Sequence, residues 1–233
     1  MDFLIGLSKI VFGFTLIIGI HELGHAIASM LCGVKIRRFS IGMGPGWTIR
    51  NVPKFTELKI SPIVIGGYVE LDEQALAEKS FWKRFFVMIS GMLFNVLMAI
   101  TLLVVMGANV FKAIYVSFYL WFAGIPMTIS ILASGQASLS EAVAGPIGIG
   151  QIMVSDAIPY IYTLAMINLA LAMFNLIPLP PLDGGRIFID ITSKIFGKNI
   201  GAFVGRILMA AGIVLLITLL LYATGNDISR LFK

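Results

Sequence analysis

The stretch that decides the fold is Leu16-Ile17-Ile18-Gly19-Ile20-His21-Glu22-Leu23-Gly24-His25. It lies within an apolar run, residues 4–30, that is long enough to cross a bilayer as a helix. Ionisable side chains are costly in a membrane helix and are usually kept there for a function. The two histidines of this motif are also the only histidines in the 233 residues. The motif therefore predicts a membrane helix that carries a chemical site.

The spacing of the motif points to a metal. His21 and His25 are four residues apart, so their imidazoles lie on the same face of a helix. This is the H-E-x-x-H pattern, in which two histidines bind one zinc ion. Glu22 projects beside them, where a carboxylate can accept the proton of a metal-bound water. The alternative is a pair of histidines near a helix end without a metal.

A catalytic zinc needs a third protein ligand, and with no further histidine that ligand must be acidic. Asp183 is the best candidate, because it follows the apolar run 158–177 and the proline-rich segment 178–181. Prolines cannot continue a helix, so we expect the helix end to unwind and Asp183 to turn back into the bundle. The alternative is a loop aspartate that caps a helix. Other acidic residues, in polar or outward contexts, rank lower as the ligand: Glu70, Asp72, Glu73, Glu78 and Glu141.

The composition predicts an α-helical multi-pass membrane protein. Hydrophobic residues make up 58% of the chain and charged residues 12%, against about a quarter charged in soluble domains. Four crossings are expected, at residues 4–32, 82–108, 157–177 and 204–223. The net charge of +5 comes without the aromatic and basic pattern of a nucleic-acid binder, so no nucleic acid is expected as a partner.

The basic residues predict the orientation. They cluster in residues 35–84 and 186–206, whereas 108–160 holds only Lys112. By the positive-inside rule, both clusters face the cytoplasm and the segment 109–156 faces outward. A further apolar run, residues 113–133, is also long enough to cross the bilayer. A crossing there would place the second basic cluster, residues 186–206, outside the cytoplasm. We therefore expect this run to lie on the outer interface or to dip in and return, with a break near Gly124 and Pro126.

Residues 35–72 differ from the rest of the chain. Four β-prone pieces are separated by turn residues that include Pro53: residues 36–41, 47–52, 56–60 and 67–71. This predicts a small region of β-hairpins at the cytoplasmic side or inside a protein-lined cavity, since open strand edges cannot face lipid. Gly66 and Gly67 favour an edge to which a substrate could add as a strand. The alternative is a purely structural hairpin.

Two motifs together resemble the site-2 protease family of intramembrane metalloproteases. They are H-E-L-G-H at residues 21–25 and N-x-x-P-x-P-x-L-D-G at residues 175–184. Residues 145–148, Gly-Pro-Ile-Gly, and the G-x-x-x-N pattern of Gly91 and Asn95 are similar to further family segments. Residues 35–72 resemble the family's membrane-associated β-loop. The outer segment is too short for the PDZ domain of many bacterial members, so a minimal member is expected.

The resemblance implies one metalloprotease domain over residues 1–233, a Zn²⁺ cofactor and a bacterial cytoplasmic membrane. It also implies substrates that are single-span membrane proteins, cut within the span. Glu22 would be the general base, Asn175 would contact the substrate backbone or oxyanion, and Asn95 would hold an unwound substrate. Buried asparagines also join helices, which is the alternative for both. Cys32 lies about 10 Å along the helix from His25, too far for the same metal.

Three other functions remain open on sequence grounds. Histidine and aspartate in a membrane also mark ion paths, as in a divalent-cation transporter. A non-catalytic adaptor that binds membrane helices is a second alternative, although binding alone does not require Glu22. A protease of another zincin class, with a glutamate as third ligand, is the third.

Overall fold

The structure is a computed structural model that describes residues 2–52, 55–138, 140 and 144–232. Pro53 and Glu141, which the sequence analysis considered as a turn residue and a metal ligand, lie outside the described residues. The elements are α1 (Asp2–Leu31), β1 (Ile36–Met43), β2 (Trp47–Val52), β3 (Phe55–Ile60), β4 (Ile63–Leu71), α2 (Glu73–Ala77), α3 (Phe81–Val105), α4 (Val110–Ala133), α5 (Pro146–Val154), α6 (Tyr160–Asn175), α7 (Asp183–Phe196) and α8 (Lys198–Leu231).

Four helices of the described chain, α1, α3, α4 and α8, are long and apolar enough to cross a membrane. The predicted fold class, a multi-pass helical membrane protein with a small sheet, is confirmed. The spans differ from the prediction in two respects: α4 is long enough to cross, and α6 is not. Helix α6 has only 16 residues, about 24 Å, and is shorter than a bilayer core of about 30 Å. The prolines after Asn175 are the physical reason, because they stop the helix.

Helix α4 corrects the expectation for residues 113–133. It runs unbroken from Val110 to Ala133 with Pro126 inside it, so the predicted break near Gly124 is wrong. A single proline removes one backbone donor, which a membrane helix tolerates. The first half of α4 packs on α3 and α6, where the Trp121 indole Nε1 donates to the carbonyl of Ala172 at 3.1 Å. Its predicted position on the outer interface stays a prediction.

All four predicted strands form one sheet, in the order β2-β3-β1-β4. Only β2 and β3 make the expected hairpin between neighbours in sequence. Strand β1 pairs in parallel with β3 and antiparallel with β4. Gly42 and Gly44 have positive φ angles of 81° and 89°, which turn the chain away after β1. As a result β4 is left at one edge of the sheet.

The sheet is attached to the helices through a shared apolar core. Its buried members come from the end of α1, from β1, β4, α2 and the start of α3: Ala26, Ala28, Cys32, Val34, Ile36, Leu71, Leu76 and Val87. Cys32 is thus a packed residue. Strand β4 continues into α2 through Asp72, whose carboxylate accepts the N–H of Ala75. That bond holds the pKa of Asp72 below its ordinary value. The edge strand is therefore fixed beside α1.

Candidate metal centre

Three ligand-type atoms from distant parts of the chain converge at one point. The Nε2 atoms of His21 and His25 are 3.2 Å apart. Each lies 3.1 Å from Oδ2 of Asp183, 158 residues beyond His25. The side chains are only 9%, 12% and 13% exposed. Within the described ranges they form the one group of three such residues close enough to share a metal ion.

The other nitrogen of each imidazole fixes which atom faces this point. Nδ1 of His21 lies 3.0 Å from Oδ1 of Asn95, and Nδ1 of His25 lies 2.8 Å from the carbonyl oxygen of Val87. Both partners are acceptors, so both Nδ1 atoms carry the proton and donate. In the neutral ring, each Nε2 then has a lone pair directed at Asp183. Metal-binding histidines are oriented in this way by a partner behind the ring.

The donor set fits Zn²⁺. With both imidazoles neutral, the two Nε2 atoms and the carboxylate oxygen are all acceptors, and a cation between them would satisfy all three. Two imidazoles and a carboxylate are a known ligand set for catalytic zinc, which keeps a further position open. An adjoining cavity of about 250 Å³ gives access to the three residues, and Glu22 and Asn175 also line it. The site therefore suits a catalytic metal ion, with space in the cavity for a substrate beside it.

Two glycines allow the helices to approach closely enough to form this centre. A Cβ at Gly24 would lie 2.5 Å from the carbonyl oxygen of Ser90, so α1 and α3 touch backbone to backbone there. A Cβ at Gly91 would overlap the rings of His21 and His25. The sequence showed Gly91 only as part of a spacing pattern. The structure gives the physical reason for a residue without a side chain.

Asp183 reaches the imidazoles from the first residue of α7 and not from an unwound loop. Helix α6 ends at Asn175 as the prolines predict, and the chain then folds tightly back. A Cβ at Gly184 would lie 2.5 Å from the carbonyl oxygen of Leu176, so only glycine permits this fold. Further along, Arg84 of α3 donates two hydrogen bonds to Asp190 at 2.7 and 2.9 Å. Helix α7, which begins with Asp183, is thus attached to α3 by an ion pair.

Glu22 connects the centre to the sheet. Its Oε2 accepts the backbone N–H of Val69 at 2.8 Å. Val69 lies near the C-terminal end of edge strand β4, and both residues line the cavity that contains the two imidazoles. The edge of the sheet therefore runs directly past the candidate metal centre.

The predicted substrate-contacting residues divide into two groups. Asn175 lines the cavity at the end of α6, with its Nδ2 donating to the carbonyl of Leu171 at 3.0 Å. Its role in substrate contact stays a prediction. Asn95 is fully buried, and its Nδ2 donates to the Ile17 carbonyl and to Oδ1 of Asn168. In this geometry Asn95 is a partner of His21, and its predicted contact with substrate stays a prediction.

Gly66 and Gly67 have structural reasons to be glycine. Gly66 has a φ of 73°, which other residues rarely adopt. A Cβ at Gly67 would lie 2.5 Å from the carbonyl oxygen of Ser40 on β1. These contacts support the structural alternative. The predicted binding of substrate at this pair stays a prediction.

Of the other acidic residues considered as ligands, Glu78 is exposed outside the cavity, and the remaining described ones are engaged elsewhere. Glu70 forms an ion pair with Arg38, and Asp72 caps α2. Glu73 does line the cavity, but both its oxygens accept from Arg186, at 2.8 and 2.9 Å. Sequence reasoning missed this pair and also the Val87 carbonyl behind His25. A backbone carbonyl leaves no trace in the residue types, so no pattern could have revealed it.

Comparison with known proteins gives a consistent result. The sequence model of peptidase family M50 matches residues 9–219. A Xylella fastidiosa (strain Temecula1) protein named "Putative zinc metalloprotease" is 38% identical over 115 residues, which cover 44% of this chain and 26% of that protein. The "Regulator of sigma E protease" of Haemophilus influenzae is 36% identical over 114 residues, 43% of this chain and 25% of that protein. The chain spans about a quarter of the length of these two relatives.

Proposed function

The chain belongs to peptidase family M50, the site-2 protease family, and from that premise we propose that it is a zinc endopeptidase that cuts a membrane-spanning segment of its substrates. His21, His25 and Asp183 would hold the zinc, and Glu22 would be the general base. The observation that carries the proposal is the meeting of three acceptor atoms within 3.2 Å of one another, beside a glutamate in a cavity.

Each residue has a part in the reaction that follows from its position. Bound zinc would polarise the scissile carbonyl and acidify a water molecule. Glu22 would take the proton of the attacking water on a carboxylate oxygen and pass it to the leaving amine. Asn175, at the cavity wall, has an amide that can donate to the substrate backbone or to the developing oxyanion. His21 and His25 would present Nε2 to the metal, because their Nδ1–H groups donate to Asn95 and to the Val87 carbonyl.

Edge strand β4 offers a way to expose the bond to be cut. A helix hides its carbonyls in internal hydrogen bonds, so the substrate must unwind before hydrolysis. An extended peptide can add to the free edge of a sheet through main-chain hydrogen bonds. The Val69 N–H that Glu22 now accepts lies on β4 next to the imidazoles. A substrate strand along β4 would therefore pass the proposed zinc site.

The partners and the location follow from the same proposal. The substrates would be single-span membrane proteins, which reach the cavity from the bilayer. The basic clusters in residues 35–84 and 186–206 favour a cytoplasmic position of the sheet and of α7. We therefore place the chain in a bacterial cytoplasmic membrane, with the active site towards the cytoplasm.

The test compares the wild-type chain with Glu22→Gln and Asp183→Ala, purified in detergent and incubated with a panel of single-span proteins. We expect the wild type to cut within the span. Glu22→Gln should keep its zinc but lose hydrolysis by about 10²–10⁴-fold, because the proton acceptor is removed. Asp183→Ala should lose both activity and most of its zinc, because a ligand is removed.

Glu78→Gln is the matched control, since Glu78 is an exposed glutamate outside the cavity. It should cut and bind zinc like the wild type. Glu22→Gln cutting as fast as the wild type would contradict the proposal. Zinc bound without any cut span would favour the adaptor, and zinc flux across liposomes without proteolysis would favour the transporter.

A further inference from the structure

Helix α7 carries polar and apolar side chains on separate faces. The polar stripe repeats at helical spacing: Asp183, Arg186, Asp190 and Lys194. Phe188, Ile191 and Ile195 form a second stripe at positions i, i+3 and i+7, which lie on one side of a helix. They are 40%, 37% and 65% exposed. The helix that begins with a proposed metal ligand therefore presents an open apolar stripe.

The contacts of α7 fix the direction in which this stripe faces. Asp190 is held by Arg84 of α3, and Arg186 by Glu73 of α2. The adjoining face packs on α8, where a Cβ at Gly201 or Gly205 would meet side chains of α7. Rotation of α7 would break the ion pairs on one side or the packing on the other. The apolar stripe is thus held outward by the rest of the molecule.

Exposed cations and aromatic rings surround this region. Four exposed basic residues at the start of α3, the end of α7 and the first turns of α8 have no ion pair in the described chain: Lys83, Lys194, Lys198 and Arg206. The Lys194 ammonium lies 4.1 Å from the ring centre of Phe81 and 5.5 Å from that of Trp82. Trp82 itself is 70% exposed. Tryptophan and lysine together are typical of the boundary between lipid and water.

We propose that α7 lies in the headgroup layer of an anionic phospholipid bilayer, with the stripe of Phe188, Ile191 and Ile195 inserted among the acyl chains. An amphipathic helix with this arrangement lies in the plane of the interface. Unpaired cations beside it attract anionic headgroups. The spanning helices α3 and α8 pack against α7 and place it next to the bilayer.

The lipid contact has a consequence for the metal centre, and this part rests on the proposed function. Asp183 is the first residue of α7, so the position of the helix sets the position of its carboxylate. A bilayer that holds the helix in place holds the third ligand as well. Anionic lipid would therefore slow the loss of zinc from the protein.

The first experiment measures depth and does not depend on activity or on zinc. In a Cys32→Ala background, a spin label is attached at Ile191→Cys or Ile195→Cys in phosphatidylglycerol-containing vesicles. Ile49→Cys on β2 is the control, because Ile49 is also an exposed isoleucine, at 51%. The labels on α7 should be accessible to oxygen and shielded from a water-soluble nickel complex, and the β2 label should show the reverse. Access to nickel on α7, or shielding from both reagents as under a protein partner or a second copy, would overturn the proposal.

The second experiment measures how fast a chelator removes zinc. The wild type is compared in vesicles of phosphatidylcholine with and without phosphatidylglycerol. We expect removal to be about fivefold slower with the anionic lipid, from the attraction of a lysine to a charged surface. Lys194→Gln combined with Lys198→Gln should reduce the difference, because two of the four unpaired cations are removed. Lys112→Gln, an exposed lysine at the start of α4, should retain it.

Equal rates in both lipids would overturn the anionic part of the proposal. If the labels lie in lipid but the chain cuts no substrate, the proposed function is contradicted. The lipid contact is then still supported.

Discussion

Gly91 makes a sharp test of the metal centre at the scale of one residue. Gly91→Ala would place a methyl group against the rings of His21 and His25. We expect zinc affinity to fall by about 10–100-fold, the usual cost of disturbing the support of a metal ligand. Zinc titration of the purified protein measures this.

Gly19→Ala is the control, because its added methyl group would meet nothing within 4 Å on the same helix that carries the histidines. Alanine also has a higher helix propensity than glycine, so this variant should be as stable as the wild type or more so. Equal zinc affinity in Gly91→Ala and Gly19→Ala would show that the close approach of α3 has no bearing on the site.

Asn95 allows a second prediction, in which two variants separate the effect of its hydrogen-bond acceptor from the effect of its side-chain shape. Asn95→Leu keeps the size of the side chain but removes the acceptor for His21 Nδ1, and zinc affinity should fall by about 10–100-fold. Asn95→Asp retains a carboxylate oxygen for the same bond and should bind zinc more tightly than Asn95→Leu. The zinc affinity of each variant is measured by titration, together with its folded fraction. Identical affinity of the two variants would mean that the bond does not orient the ring.

The residues of the centre differ in how far the sequence could reveal them. His21, Glu22 and His25 are neighbours whose spacing carries the chemistry, and Asp183 follows from the need for an acidic ligand. Asn95 was assigned to the substrate because its residue type is compatible with both contacts. The bond to His21 becomes visible only in the packing of α3 on α1. The Val87 carbonyl could not be predicted, since every residue has one.

At the scale of an element, Asp227 holds α5 in place. It is 1% exposed on α8, and its carboxylate accepts the N–H groups of Gly145 and Gly148 at 3.2 and 2.8 Å. Asp227→Ala would leave two buried donors at the start of α5 unpaired. We expect a loss of stability of about 1–3 kcal/mol, measured by unfolding in detergent. Asp156→Ala, at an exposed aspartate, should have no effect, and an equal loss in both would contradict the role of Asp227.

The elements show where sequence reasoning fails for physical reasons. Strands β1 to β4 were found because their composition and turns are local properties. Their order was not, because the parallel pairing of β1 with β3 depends on contacts between segments that do not adjoin. Helix α4 stays unbroken although it contains Pro126, because one proline removes only one backbone donor, which a membrane helix tolerates.

At the scale of the whole molecule, a bound metal would connect α1 to α7 through its three ligands. A ligand that binds only the folded state stabilises it, by about 2.7 kcal/mol at a concentration of 100 Kd. We therefore expect a chelator to lower the Tm of the wild type by several degrees, at about 2–4 °C per kcal/mol for this size. Asp183→Ala should start lower and respond less. A wild-type Tm that does not change with a chelator would contradict a metal that joins the two helices.

The distance along the chain between the two halves of the centre also bears on biosynthesis. A nascent chain that has delivered α1 to the membrane carries His21 and His25 but lacks their acidic partner until α7 has been translated. The proposed hydrolase would therefore be inert until α7 has been made and has joined α1. Membrane proteins made by neighbouring ribosomes would be safe from it until the last helices are in place.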